Sequence, residues 1–126
     1  DDSSVARKQI IRCLQNLGIE VVAQNDGRQA LTYLRKLVAE GKKPSDEFVM
    51  MISDIEMPEM DGYTLTTEVR QDPAMRDLHV LLHTSLSGVF NQGMVKRVGA
   101  DDFLAKFQAD DLANRVIERI RATDGN

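Results

Sequence analysis

The sequence has one cysteine, Cys13, no tryptophan, three prolines and 5% aromatic residues. A lone thiol forms no internal disulfide and supplies no cysteine cluster for zinc, so a reducing, cytoplasmic setting is the natural reading. No apolar run approaches the roughly 20 residues that span a bilayer, and no signal peptide opens the chain, so membrane insertion is not expected. Charge of one sign is scarce too. Sixteen Lys and Arg against 20 Asp and Glu leave −4, which offers no electrostatic footprint for nucleic acid. What remains is ordinary for a globular protein: 126 residues, 42% hydrophobic and 29% charged. That length suits one domain with its own core. No internal repeat, low-complexity tract or linker divides it, so residues 1–126 read as a single domain.

Helical and strand-like segments alternate along the chain. Residues 4–17 place Ile10, Leu14 and Leu17 on one face beside Cys13, with Ser3 or Ser4 as N-cap. Ile19 to Gln24 is short and β-branched and predicts a strand. Asp26 and Gln29 have capping-box spacing, and Ala30, Leu31, Leu34, Leu37 and Val38 follow at helical intervals. Gly41 stops that helix, and Lys42 to Ser45 reads as a loop. Phe48 to Ile52 is a continuous apolar run, as in a strand covered on both faces. The turn-rich stretch Met57 to Gly62 leads to a helix around Leu65 and Val69. Val80 to Leu82 predicts another buried strand. Phe90, Met94 and Val98 mark a helix with Lys96 and Arg97 facing water, ended by Gly99. Phe103 to Ala105 is the last strand, and Leu112, Val116 and Ile120 mark the final helix. Strands alternating with single helices imply right-handed crossovers and a doubly wound, parallel α/β sheet.

In such a sheet, ligands bind outside the carboxyl ends of the strands. The polar residues after each apolar run are therefore the candidates: Asp54, Thr84 and Lys106, with Asp1 and Asp2 before the first helix. Carboxylates, a hydroxyl and an ammonium converging on one edge suit magnesium-assisted phosphoryl transfer. Hard oxygens hold Mg²⁺, the metal and Lys106 neutralise the transferring group, and the Asp54 carboxylate attacks to form an acyl phosphate. Each residue also has a plainer reading. Asp54 caps a loop, Asp1 and Asp2 form a polar terminus, Lys106 is a solvated strand-end lysine, and Thr84 is a β-former. Asp101 and Asp102 read as solvated loop acids, and His79 and His83 as structural. Gly88 and Gly93 have the spacing of a phosphate loop, but Met94 stands where its lysine is needed.

The segment Ile52-Ser-Asp54-Ile-Glu-Met-Pro58, with Met60-Asp-Gly62 after it, resembles the phosphoacceptor signature of two-component receiver domains, the CheY-like superfamily. Asp1-Asp2-Ser, His83-Thr84-Ser85 and Gly99 to Lys106 resemble the family's other site blocks, in the same order. The resemblance runs from Asp1 to about Arg121. It implies a flavodoxin-like fold of strand order 2-1-3-4-5 and a set of roles. Asp54 resembles the acceptor, and Asp1 and Asp2 the acidic pair that holds Mg²⁺. The backbone carbonyl of Glu56 corresponds to a further metal ligand. Thr84 resembles the switch hydroxyl and Lys106 the residue bridging acceptor and phosphate. Phe103 stands at the switch aromatic, with plain core packing as the other reading. The blocks around Thr84 and Phe103 are similar to receivers fused to chemotaxis coupling proteins of the CheV type. That implies a histidine kinase and a chemoreceptor–kinase complex as partners.

Three departures from the family pattern matter. Phe107 replaces the proline usual after the site lysine, and a cis bond before a non-proline costs about 2.5–4 kcal/mol, so a trans bond is expected there. Glu56 and Leu86 each lie two residues past a site residue, where they either flank the path of hydrolytic water or face solvent. The family's first strand has no counterpart, which implies a longer natural protein upstream of Asp1. Two other functions share these features. One is an interaction module of the same fold that works without phosphorylation. The other is a phosphatase or phosphotransferase with an aspartyl-phosphate intermediate, for which no cap-sized insertion is present.

Overall fold

Three of the apolar runs pair side by side in a parallel sheet, while the helices between them cover its two faces. A computed structural model of the chain describes residues 2–24, 26–55, 59–83, 92–104 and 109–124, with backbone alone for residues 2–6, 92, 109 and 123–124. In chain order the elements are α1 (Asp2–Asn16), α2 (Gly27–Ala39), α3 (Pro44–Glu47), β1 (Met51–Asp54), α4 (Gly62–Gln71), β2 (Val80–His83), α5 (Gln92–Val98), β3 (Asp102–Leu104) and α6 (Ala109–Asp124). The sheet order is β1-β2-β3, all parallel.

The central strand explains the layering. Val80, Leu81 and Leu82 are fully buried, and alternate residues of a strand face opposite sides. Leu81 packs with Ile10 and Leu14 of α1 and with Leu112 and Val116 of α6. Val80 and Leu82 pack with Val95 of α5 on the other face. A second cluster on that side joins Leu31, Leu34 and Leu37 of α2 to Leu65 and Val69 of α4. Each fully buried aliphatic side chain contributes about 1.5–3 kcal/mol relative to exposure. Caps set the helix starts: the Gln29 N–H donates to Asp26 Oδ1 at 2.9 Å, and the Thr64 N–H to Asp61 Oδ1 at 2.7 Å.

Several expectations are corrected. Residues 19–24 form no strand. Pairing needs a neighbouring strand, and among the described residues β1 pairs only with β2, so the β-branched segment has no ladder to join there. α1 begins at Asp2, which places Ser3 and Ser4 inside the helix rather than at its cap. Leu17 is 43% exposed, because α1 ends at Asn16 and the chain turns away there. Pro44 starts a short helix where a loop was expected, since its fixed φ suits a first helical position. β1 starts at Met51, where the Met51 N–H first reaches the His79 carbonyl. Phe48 is taken up instead in a tilted contact with Tyr33, ring centroids 6.2 Å apart.

Asp101 and Asp102 are not idle acids. Asp101 Oδ2 accepts from Arg70 Nη2 at 2.6 Å and from the Val80 N–H at 2.8 Å. Arg70 also donates to the carbonyls of Gly99, Arg76 and Leu78. Asp102 pairs with Arg115 of α6. This polar knot ties α4, α5, α6 and the entries of β2 and β3 together at the amino end of the sheet.

Candidate functional site

At the opposite end, the ladder sets Asp54 beside His83 and His83 beside Leu104, so the carboxyl ends of the three strands lie together. Asp54 is the last residue of β1 and is 9% exposed. The chain beyond it folds back on the strand. The Ile55 N–H donates to the His83 carbonyl at 2.9 Å, and the Gly62 N–H donates to the Ile55 carbonyl at 3.0 Å. The Ser53 hydroxyl donates to the Asp54 carbonyl at 3.0 Å.

Glycine is required twice for this return. A Cβ on Gly62 would lie 2.5 Å from the Asp54 carbonyl oxygen, and one on Gly27 would lie 2.3 Å from the Met60 carbonyl oxygen. Both contacts are with backbone, which cannot swing away. The first turns of α2 and α4 therefore press on the loop that follows Asp54. Asp61 holds the start of α4 as its N-cap. Glu59, in a left-handed conformation at φ 69°, approaches Arg28 at 4.0 Å, an exposed pair of little energetic weight. Asp26-Gly27 is a turn signal that sequence reasoning could have connected to the site. Arg70 carries no local signal, because its partners at Gly99 and Asp101 come from a distant part of the chain.

Of the predicted site residues, Asp54 and Phe103 are described with their side chains. Phe103 lies opposite Leu82 in the ladder and packs, half-buried, against the Val80, Leu82 and Val95 cluster. The core role of its two readings is thus present. Asp2 is described as the first residue of α1 by its backbone alone. Asp1, Glu56, Thr84 and Lys106 lie outside the described residues, as do Leu86 and Phe107 and so the Lys106–Phe107 bond. Thr84 is the next residue in sequence after His83, and Lys106 comes two after Leu104.

Among the described residues, no group of three or more His, Cys, Asp or Glu side chains is placed to hold a metal ion. Of the Mg²⁺ ligands the resemblance implies, the described side chains include only the Asp54 carboxylate. Its donor chemistry fits: a hard oxygen at a strand end suits Mg²⁺, which takes one or two carboxylates and retains water. His83 is buried at the same end of the sheet. His79 sits at the far end, with Nδ1 3.8 Å from Asp101 Oδ2. Burial pushes its pKa below the ordinary value, opposed by Asp101. No helix among the described residues is long and apolar enough to cross a membrane.

Known proteins match this arrangement. The chain is 32% identical to the chemotaxis protein CheV3 of Helicobacter pylori over 120 residues, 92% of this chain and 38% of that protein. It thus spans well under half the length of that relative. The receiver domain of a Pseudomonas aeruginosa sensor histidine kinase, solved with magnesium coordinated in its active site cleft, superposes with a TM-score of 0.74. That pair is 26% identical and covers 95% of this chain and 92% of that one. Vibrio cholerae chemotaxis protein CheY4 superposes with a TM-score of 0.73 at 29% identity, again covering 95% and 92%. Residues 1–117 match the response regulator receiver domain. With an acceptor-like aspartate at the carboxyl edge of a parallel sheet, the chain belongs to the response regulator receiver domain family.

Proposed function

We propose that Asp54 takes a phosphoryl group from the phosphohistidine of a histidine kinase. In that transfer the P–N bond to the kinase imidazole breaks as a P–O bond to an Asp54 carboxylate oxygen forms. The imidazole leaves with the electron pair. The observation that carries the reading is the placement of Asp54: a largely buried carboxylate ending β1, with Gly62 at the start of α4 packed against its carbonyl, in a receiver-family chain. Mg²⁺, when bound, supplies positive charge for the developing phosphoryl oxyanions. Asp1, Asp2, Asp54 and the Glu56 carbonyl are its ligands in this proposal. Lys106 bridges acceptor and phosphate, and Thr84 donates its hydroxyl to a phosphoryl oxygen.

Phosphorylation then shifts the population between two conformations through Thr84 and Phe103, changing the affinity of the α5, β3 and α6 surface for a partner. The domain catalyses its own phosphorylation and dephosphorylation and is not otherwise an enzyme. The CheV3 likeness supports a role in chemotaxis; we extend it to coupling in the cytoplasm beside a chemoreceptor–kinase complex.

Incubating the protein with Mg²⁺ and acetyl phosphate, alongside Asp54→Asn, tests the reading. Labelling that Asp54→Asn abolishes is expected. Turnover of an external phosphoester would instead indicate a phosphatase, and no labelling would indicate an interaction module that works without phosphorylation.

A further inference from the structure

Four polar or charged side chains are buried among the described residues: Ser53, Asp54, Thr66 and His83. The Ser53 and Thr66 hydroxyls donate to the main-chain carbonyls of Asp54 and Gly62. Asp54 and His83 share one rung of the sheet. They are partners in the last register pair of β1 and β2, and the Ile55 N–H closes the ladder on the His83 carbonyl. Partners on neighbouring parallel strands point to the same face, and so do residues two apart along one strand. Ile52, two before Asp54, and Leu81, two before His83, both pack in the cluster with Leu14, Leu112 and Val116. The carboxylate and the imidazole therefore stand side by side on that face, on Cβ atoms about 5 Å apart. Both residues line one cleft.

Packing alone does not ask for a histidine here. Val80, Leu81 and Leu82 fill the rest of β2 with aliphatic side chains, and Leu104, the partner of His83 on β3, packs in the same cluster as Leu81. An imidazole buried at such a rung costs free energy unless its nitrogens meet hydrogen-bonding groups. At this distance a ring nitrogen reaches a carboxylate oxygen of the neighbouring side chain. We infer that His83 is a positioning residue for the phosphoryl transfer: a ring N–H donates to one Asp54 oxygen, so that the other makes the bond to phosphorus. The inference rests on Asp54 being the acceptor and adds which of its oxygens reacts. An imidazole carries at least one N–H in either tautomer, and His83 keeps that proton throughout the step. The oxygen that accepts from His83 becomes the carbonyl oxygen of the acyl phosphate. The other takes the phosphoryl group as the P–N bond of the donor breaks. Hydrogen bonds of a reacting site commonly tighten only once the reacting group is in place, so the bond belongs to the loaded protein. Stopping the rotation of the carboxylate lowers the cost of reaching the attack geometry.

The test compares His83→Leu, which keeps an apolar side chain of similar reach and removes the N–H, with His83→Asn, which restores an N–H as many bonds from Cβ as ring Nδ1. Labelling by acetyl phosphate with Mg²⁺ is timed on protein shown to be folded by circular dichroism. The expected result is labelling slowed about tenfold in His83→Leu and largely recovered in His83→Asn. With Mg²⁺ and beryllofluoride, a phosphoryl analogue, the His83 ring N–H proton of the unsubstituted chain should resonate farther downfield than without them. Labelling of His83→Leu at the unsubstituted rate, or equal slowing in both variants, would overturn the inference. So would an unmoved ring proton in the beryllofluoride-bound chain, and that signal decides the matter if His83→Leu does not fold. An unsubstituted chain that takes neither label nor beryllofluoride would instead remove the acceptor reading, and this inference with it.

Discussion

At the amino end of the sheet Arg70 reaches four acceptors from two parts of the chain, and Asp101 and Asp102 are held by Arg70 and Arg115. At the carboxyl end, by contrast, backbone hydrogen bonds, the Ser53 hydroxyl and two glycines crowded against carbonyl oxygens lie around the end of β1. The first arrangement saturates its charges with one another. The second holds a largely buried carboxylate at the end of β1. In the proposed switch, the cross-braced base would keep the helices in place while phosphorylation changes the charge at the other end.

Removing the brace should have the largest thermodynamic effect. Arg70→Ala leaves three carbonyls without this donor and Asp101 with the Val80 N–H in its place, and unsatisfied buried groups cost about 1–3 kcal/mol each, less where water reaches them. The urea midpoint should fall by the equivalent of about 2–3 kcal/mol, while Asp54 in the folded fraction still accepts phosphate. Loss of labelling in folded Arg70→Ala would erase the distinction between the ends. Smaller effects are expected beside the acceptor. In the proposed switch, Glu56→Gln and Leu86→Ala should change the autodephosphorylation rate several-fold, and unchanged rates in both would remove these residues from the account. Asp61→Ala loses the N-cap of α4 and should cost about 1 kcal/mol.

The smallest effect concerns acid. Burial lowers the pKa of His79 in the folded chain, so as pH falls below about 6.5 the unfolded chain takes up that proton first. The stability His79 contributes is present above that value and is lost as pH falls through the window below it. Around the imidazole stand Asp101, Asp102, Arg70 and Arg119. His79→Gln should flatten the stability profile between pH 6.5 and the acid limb; an unchanged slope there would assign the acid response to other groups.

The parts legible in the sequence are those governed by local pattern. Val80 to Leu82 reads as a buried strand because three large aliphatics in a row fit little else, and the Asp26–Gln29 cap follows from spacing. Asp54 stands out because it ends an apolar run and begins a recognisable signature. What was illegible depends on partners far along the chain. Residues 19–24 have strand composition but no described neighbour to pair with. Asp101 looks like a loop acid until α4 brings Arg70 to it, 31 residues away in sequence. Gly62 is visible as a turn residue, yet the crowding that demands it appears only once α4 leans on the end of β1.

The central claim is that the carboxylate of Asp54 carries the phosphoryl group. Trapping the phosphorylated protein with borohydride and mapping the reduced residue by peptide mass spectrometry tests it most directly. The account predicts homoserine at position 54 and none in the Asp54→Asn protein. Reduction at Glu56, Asp61 or any other carboxylate with Asp54 intact would contradict it.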